Sequence, residues 1–146
     1  MFLLTAKDEK DNGCIVNTVV QTANEPTRVS VSVQKDNLTR EMIEKTGKFN
    51  VSVLTERVPY DVIARFGTKS GRDTDKFADF SSVERTKNGL LYLSEYTNAY
   101  YSAKVVSTLD LGSHVQFIGE LTEGKVLGND PSCTYAYYHE SIKPKQ

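Results

Sequence analysis

NGCIVNTVVQTANEPTRVSVSVQKDNLTREMIE, residues 12–44, decides how the rest of the chain is read. Asn12-Gly13 is a turn signal. It leads into one run carrying Ile15, Val16, Val19 and Val20, and a polar turn with Pro26 follows. Val29, Val31 and Val33 then alternate strictly with Ser30, Ser32 and Gln34, the period of a half-buried strand. After Lys35-Asp36 the pattern becomes helical, with Leu38, Met42 and Ile43 on one face and Gly47 placed to stop it. Asn37 and Thr39 are both good N-cap residues. A strand ending at a capped helix start, with Lys35 and Arg40 beside it, brings free N–H groups, hydroxyls and positive charge together. That is the chemistry of an anion site. An ordinary cap beside a solvated lysine is the competing reading of Lys35, Asn37 and Thr39.

Working outward, Phe2 to Ala6 reads as a first strand, and Phe49, Val51 and Val53 mark another. Pro59 suits the first turn of a second short helix with Val62, Ile63 and Phe66 inward, ending at Gly67. Thr68 to Asp79, TKSGRDTDKFAD, is the most polar segment and has the composition of a mobile loop; such loops are often functional. Short strand patterns return at Leu90–Leu93, Ala99–Ser107, His114–Leu121, Lys125–Leu127 and Thr134–His139. Many short strands separated by glycine-bearing turns predict a closed or nearly closed antiparallel barrel. With 146 residues, no internal repeat and no linker, residues 1–146 read as one domain.

The bulk properties exclude several function classes. A net charge of −1 with 25% charged residues gives no electrostatic footprint for nucleic acid or membrane. No stretch approaches a spanning length, and Met1-Phe2-Leu3-Leu4 is too short for a signal segment, so a cytoplasmic protein is expected. Cys14 and Cys133 are far apart and expected to be reduced, and two histidines without ligand spacing predict no metal site. There is no G-x-G-x-x-G, no Walker A pattern and no nucleophile elbow.

Several motifs occur in one order along nearly the whole chain: the two strands with their Pro turn, Lys35-Asp36-Asn37-x-Thr39, Thr46 to Leu54, Arg65-Phe66-Gly67, Gly71-Arg72-Asp73-x-Asp75-Lys76-Phe77, Gly112-Ser113-His114 with Phe117-Ile118-Gly119-Glu120, and Thr134 to Tyr138. In this the chain resembles the flavin reductase-like family of FMN-binding split β-barrels. It is most similar to the flavin domains associated with rubredoxin in anaerobes, through Thr5-Ala6-Lys7 and Asp11-Asn12-Gly13-Cys14. The chain opens almost directly on a strand, where that family usually has a short leading segment.

The resemblance implies an all-β-dominated Greek-key split barrel with short helices, an FMN cofactor, NAD(P)H as electron donor and a homodimer with flavin near its interface. Hydride would pass from NAD(P)H to FMN and electrons onward to free flavin, ferric iron or a separate rubredoxin-like protein. It implies a phosphate site at Lys35, Asn37 and Thr39, and ring contacts from Val16, Asn17 and Thr18, with Gln21 and Gln34 weaker candidates of the same kind. Phe66, Gly67, Lys76 and Phe77 would cover the flavin or meet the dimer partner, Lys76 could reach the phosphate or the flavin from a neighbouring subunit, and His114 would position groups or supply a proton. Arg65 and Arg72 could attract a dinucleotide phosphate. The alternatives are an FMN electron carrier with little NAD(P)H activity and a non-enzymatic binding barrel, whose basic groove and aromatic platform are not evident.

Overall fold

A computed structural model describes residues 1–146. Its centre is a hairpin of two unusually long strands, β8 (Thr97–Asp110) and β9 (His114–Val126). β8 pairs over its first half with β5 (Lys48–Leu54), while the first half of β9 pairs with β4 (Thr27–Gln34). β1 (Phe2–Lys7) and β2 (Asp11–Val16) extend the sheet beyond β5, and β3 (Val20–Asn24) extends it beyond β4. The seven-stranded antiparallel order is β2-β1-β5-β8-β9-β4-β3, and the end strands β2 and β3 are not bonded to each other. Register shifts at Ser102/Ala103 and Val105/Ser107 bend the central hairpin, as bulges do.

The bend lets both halves of the sheet enclose one core. Leu4, Ala6 and Cys14 from one end meet Val29, Val31 and Val33 from the other, with Phe49 and Phe117 between them. Helix α1 (Leu38–Thr46) plugs this split barrel with Met42 and Ile43. Gly47, left-handed at φ 73°, ends it as the sequence predicts. A second core lies outside, where α2 (Tyr60–Gly67) presses Val62, Ile63 and Phe66 onto Leu3, Leu54 and Leu93.

The sequence reading is corrected in four places. The run from Asn12 to Val20 is two strands, not one: Asn17, Thr18 and Val19 break it, and the pieces lie at opposite ends of the sheet. Thr134–His139 is helical, α3 (Tyr135–Tyr137) continuing into a π-helical turn, Tyr138–Ile142. Its tyrosines raise β-propensity, but Thr134 caps it through an Oγ1 that accepts from Tyr137 N at 3.0 Å, and Tyr137, Tyr138 and Ile142 pack on the second core. The segments 114–121 and 125–127 fuse into the single strand β9. A short ribbon, β6 (Val83–Arg85) on β7 (Leu91–Leu93), was only half anticipated.

Candidate functional site

Where the sheet stays open, three segments converge: the break between β2 and β3, the end of β4 running into α1, and the loop after α2. Two joined clefts of about 240 and 210 Å³ lie between them. The first is walled by Cys14 to Thr18, Ser32 to Gln34, Phe66, Lys76 and His114. The second is walled by Asp36, Leu38 and Thr68 to Gly71, and both share Gln34, Asn37, Gly67, Lys69 and Lys76. A larger groove of about 1020 Å³ runs along the outside of α1, but most of its charges are held in ion pairs, Lys45–Asp8, Arg40–Glu44 and Arg72–Glu41. The two smaller clefts, which gather the residues singled out from the sequence, are the candidate site.

The first cleft exists because β3 leaves β4 after Ser30. Thr18 then substitutes for a strand partner: its hydroxyl donates to Ser32 O at 2.8 Å and accepts from Ser32 N at 3.2 Å. Lys35 N donates to Ser113 O on the β9 side, so the alternation of an antiparallel edge turns the Gln34 N–H the other way, toward the cleft. The Asn17 side chain makes no hydrogen bond within the protein. His114 sits at the mouth, half-buried, with Nδ1 2.9 Å from Ser113 Oγ.

Lys76 is the unusual group. It is 3% exposed, and its ammonium donates to Gly13 O at 2.9 Å and Phe66 O at 3.0 Å. Phe66 O belongs to the last turn of α2, where carbonyls lack helical partners and attract a cation. Burial lowers the Lys76 pKa, and the positive charge of Lys10 lowers it further. Burial also pushes the Cys14 thiol up to about 11, so it is a neutral wall group and not a nucleophile.

The second cleft is lined by backbone donors. The N–H groups of Lys69, Ser70 and Gly71 donate to no protein atom, and neither do those of Asp36 and Leu38. The last two belong to the approach and first turn of α1, whose cap is Asn37: its Oδ1 accepts from Thr39 N at 2.8 Å. All five residues, Lys69 with its charge among them, line the second cleft, which makes it a candidate anion site.

The structure thus brings together Val16, Asn17, Thr18, Gln34, Asn37, Phe66, Gly67, Lys76 and His114. It does not bring Lys35, Thr39 or Phe77 to the clefts. Lys35 turns outward to Asp110 at 2.7 Å. Thr39 is fully buried beneath the helix start, and its hydroxyl accepts from Asn12 Nδ2 at 3.0 Å. Phe77 joins the second core, 4.9 Å from Phe66 and 6.3 Å from Phe80. Gln21 lies on exposed β3, away from the clefts. Arg65 donates to Lys76 O and Ala78 O and covers the Phe80 ring, and Arg72 is held by Glu41, so neither guanidinium is free. Sequence reasoning missed Cys14, Ser32 and the donors at 69–71; the polarity of Thr68–Asp79 was the only signal for the last.

A family model described as "Flavin reductase like domain" matches residues 1–145. The chain is 42% identical over 141 residues to a "High molecular weight rubredoxin" of Moorella thermoacetica, a match that takes 96% of this chain but only 61% of that protein. It is 33% identical over 146 residues to a "Ferric-chelate reductase (NAD(P)H)" of Archaeoglobus fulgidus, taking 99% of this chain and 86% of that one. Among solved structures, flavoredoxin from Methanosarcina acetivorans aligns with a TM-score of 0.78 at 23% identity, over 86% of this chain and 67% of that one, a likeness of fold.

Proposed function

We propose that this chain, which belongs to the flavin reductase like domain family, is an oxidoreductase whose flavin is FMN, reduced by NAD(P)H. The observation that carries the choice of FMN is the arc of unpaired N–H donors at Asp36, Leu38 and Lys69–Gly71. A terminal phosphate dianion matches such an arc; riboflavin would leave it unanswered. The two joined clefts fit an elongated ligand with a flat end and an anionic end, and together they reach the size of small-ligand sites.

Bound there, the flavin accepts hydride and releases electrons singly or in pairs. The chain's own residues do the rest. The Asn17 side chain and the backbone N–H groups of Thr18 and Gln34 offer hydrogen bonds to the polar edge of a ring, and the buried Lys76 ammonium adds positive charge where reduction places negative charge. Phe66 and Val16 supply apolar wall and exclude water. His114, at the mouth, positions the donor or holds a proton near the ring. The acceptor is free flavin, ferric iron or a rubredoxin-like protein. The last follows the Moorella likeness, of which this chain spans 61%.

A homodimer completes the assembly. Val106, Leu109 and Leu111, 40%, 56% and 50% exposed, form an apolar patch on the β8–β9 tip beside His114. Tyr135 is exposed as well, while Tyr137 packs inward. The patch is what a second subunit would cover; a monomer by sedimentation that still binds FMN would remove the dimer from the proposal.

The likeness to a rubredoxin also favours a second reading, an FMN electron carrier with little NAD(P)H activity. Anaerobic stopped-flow mixing with NADH and with NADPH separates the two. Rapid bleaching of the flavin bands supports the reductase; a flavin-loaded protein that neither nucleotide reduces supports the carrier. A colourless protein that gains no flavin from added FMN overturns both.

A further inference from the structure

The donor-bearing end of the loop is joined to the rest of the chain by two side chains, Arg72 reaching out of it and Lys10 reaching in. Arg72 reaches across to α1 and forks onto Glu41, with Nη2 2.6 Å from Oε1 and Nη1 3.2 Å from Oε2. The same Nη2 donates to Asp36 O at 3.0 Å. Lys10, from the β1–β2 turn, donates to Gly71 O at 2.6 Å. Within the loop, Ser70 Oγ accepts from Arg72 N, and Ser70 O accepts from Asp73 N and Thr74 N. None of these bonds uses the N–H groups of Lys69, Ser70 or Gly71, which keep no protein partner in residues that line the cleft.

We infer that Arg72 and Glu41 form a latch that positions the loop donors opposite the start of α1, and so determine the preference of the site for a phosphate-bearing flavin. The inference rests on the phosphate site proposed above. Both latch side chains are two-fifths exposed, so the pair contributes little to overall stability. Its work is geometric. A planar guanidinium that takes a carboxylate and a carbonyl together fixes an angle as well as a distance. The Asp36 carbonyl it holds belongs to the residue whose N–H is itself one of the donors. The latch therefore joins the two halves of the cradle, loop and helix start.

The inference makes a prediction that runs against simple electrostatics. Glu41 is an anion near the proposed dianion site, and removing it should tighten FMN if only charge mattered, or if Arg72 were thereby released to bind phosphate itself. If the latch positions the donors, Glu41→Ala weakens FMN by about tenfold, the cost of ordering roughly one residue of loop at each binding event. Riboflavin, with no phosphate, is unaffected, and Arg72→Ala behaves the same way. The experiment is a set of fluorescence titrations of flavin-free wild type, Glu41→Ala and Arg72→Ala with FMN and with riboflavin. Thermal unfolding of each apoprotein is measured alongside. Weakened FMN with unchanged riboflavin in both variants supports the latch. Unchanged or tighter FMN in Glu41→Ala overturns it, as does an equal weakening of both flavins. A wild type that binds FMN no better than riboflavin overturns the phosphate site itself, which is a separate failure.

Discussion

Thr39→Val tests whether the residue under the helix start serves the fold or the ligand. Thr39 is fully buried, and its Oγ1 is the acceptor for Asn12 Nδ2 at 3.0 Å. Asn12 is 1% exposed, and its Oδ1 already has no partner. Valine keeps the shape of threonine and removes the acceptor, so the variant creates little cavity but orphans the whole Asn12 carboxamide. An orphaned buried polar group costs about 1–3 kcal/mol. At about 2 kcal/mol, a chain of this size should melt roughly 4–8 °C lower. Urea denaturation of the flavin-free protein measures the loss directly. The double variant Asn12→Leu/Thr39→Val removes both partners and should recover most of it, because replacing both polar groups by apolar ones is nearly neutral. Affinities for FMN and riboflavin should stay within about twofold of wild type. A normal melting temperature with a selective loss of FMN would refute this reasoning and place the Thr39 hydroxyl at the phosphate.

Asn37→Ala removes the α1 cap, and since Asn37 also lines both clefts it should lower stability by about 0.5–2 kcal/mol and weaken FMN more than riboflavin, read by denaturation and titration. Gly119→Ala should cost about 1–3 kcal/mol by chemical denaturation, because a Cβ there would lie 2.6 Å from Phe49 Cζ and 2.9 Å from Ala103 Cβ in the packed core. The Arg72 fork, with Arg40 and Lys45 nearby, holds the Glu41 carboxyl below its ordinary range. A depressed carboxylate pKa gives stability that is present above the ordinary glutamate range and lost as pH falls through the lowered value. The stability gap between wild type and Glu41→Gln should therefore close on acidification, and a gap that widened would refute the pairing.

What the sequence made legible was whatever local pattern dictates. The alternation of Val29, Val31 and Val33 became β4, and the Asn37 and Gly47 signals bounded α1. What it hid depends on partners distant in the chain. Thr39 looked like a ligand residue because threonine suits a helix start; only Asn12, 27 residues away, shows that its hydroxyl is spent inside. Lys35 looked free until β8 supplied Asp110. The loop 68–79 looked mobile from composition alone, yet Gly71 lies against Asn12 so closely that a Cβ would collide with it, and Lys10, Arg65 and Arg72 tie the backbone down. The break at Asn17–Val19 was hidden for the same reason: Ile15, Val16, Val19 and Val20 read as one apolar run, and nothing local says that β2 and β3 part.

That parting is what makes the site. A closed barrel would satisfy every strand edge and leave no backbone donor for a ligand. Here β2 and β3 lie at opposite ends of the sheet, so the chain between them must cross the gap, and it crosses with Asn17 and Thr18. Thr18 repairs one unit of the open β4 edge and stops; the next outward N–H, at Gln34, stays unpaired beside Asn37. On the far side the α2 C-terminus would leave carbonyls bare, and Lys76 answers Phe66 O while keeping its charge in the cleft wall. The unsatisfied groups are therefore segregated: carbonyls toward an internal cation, N–H groups toward the open space. A fold optimised only for stability would pair them with each other. Keeping them apart leaves a surface suited to the anionic, hydrogen-bond-accepting ligand proposed above. In the proposed site flavin binding and folding draw on the same groups, so FMN should raise apoprotein stability more than riboflavin does at the same ligand concentration, by the difference in their affinities.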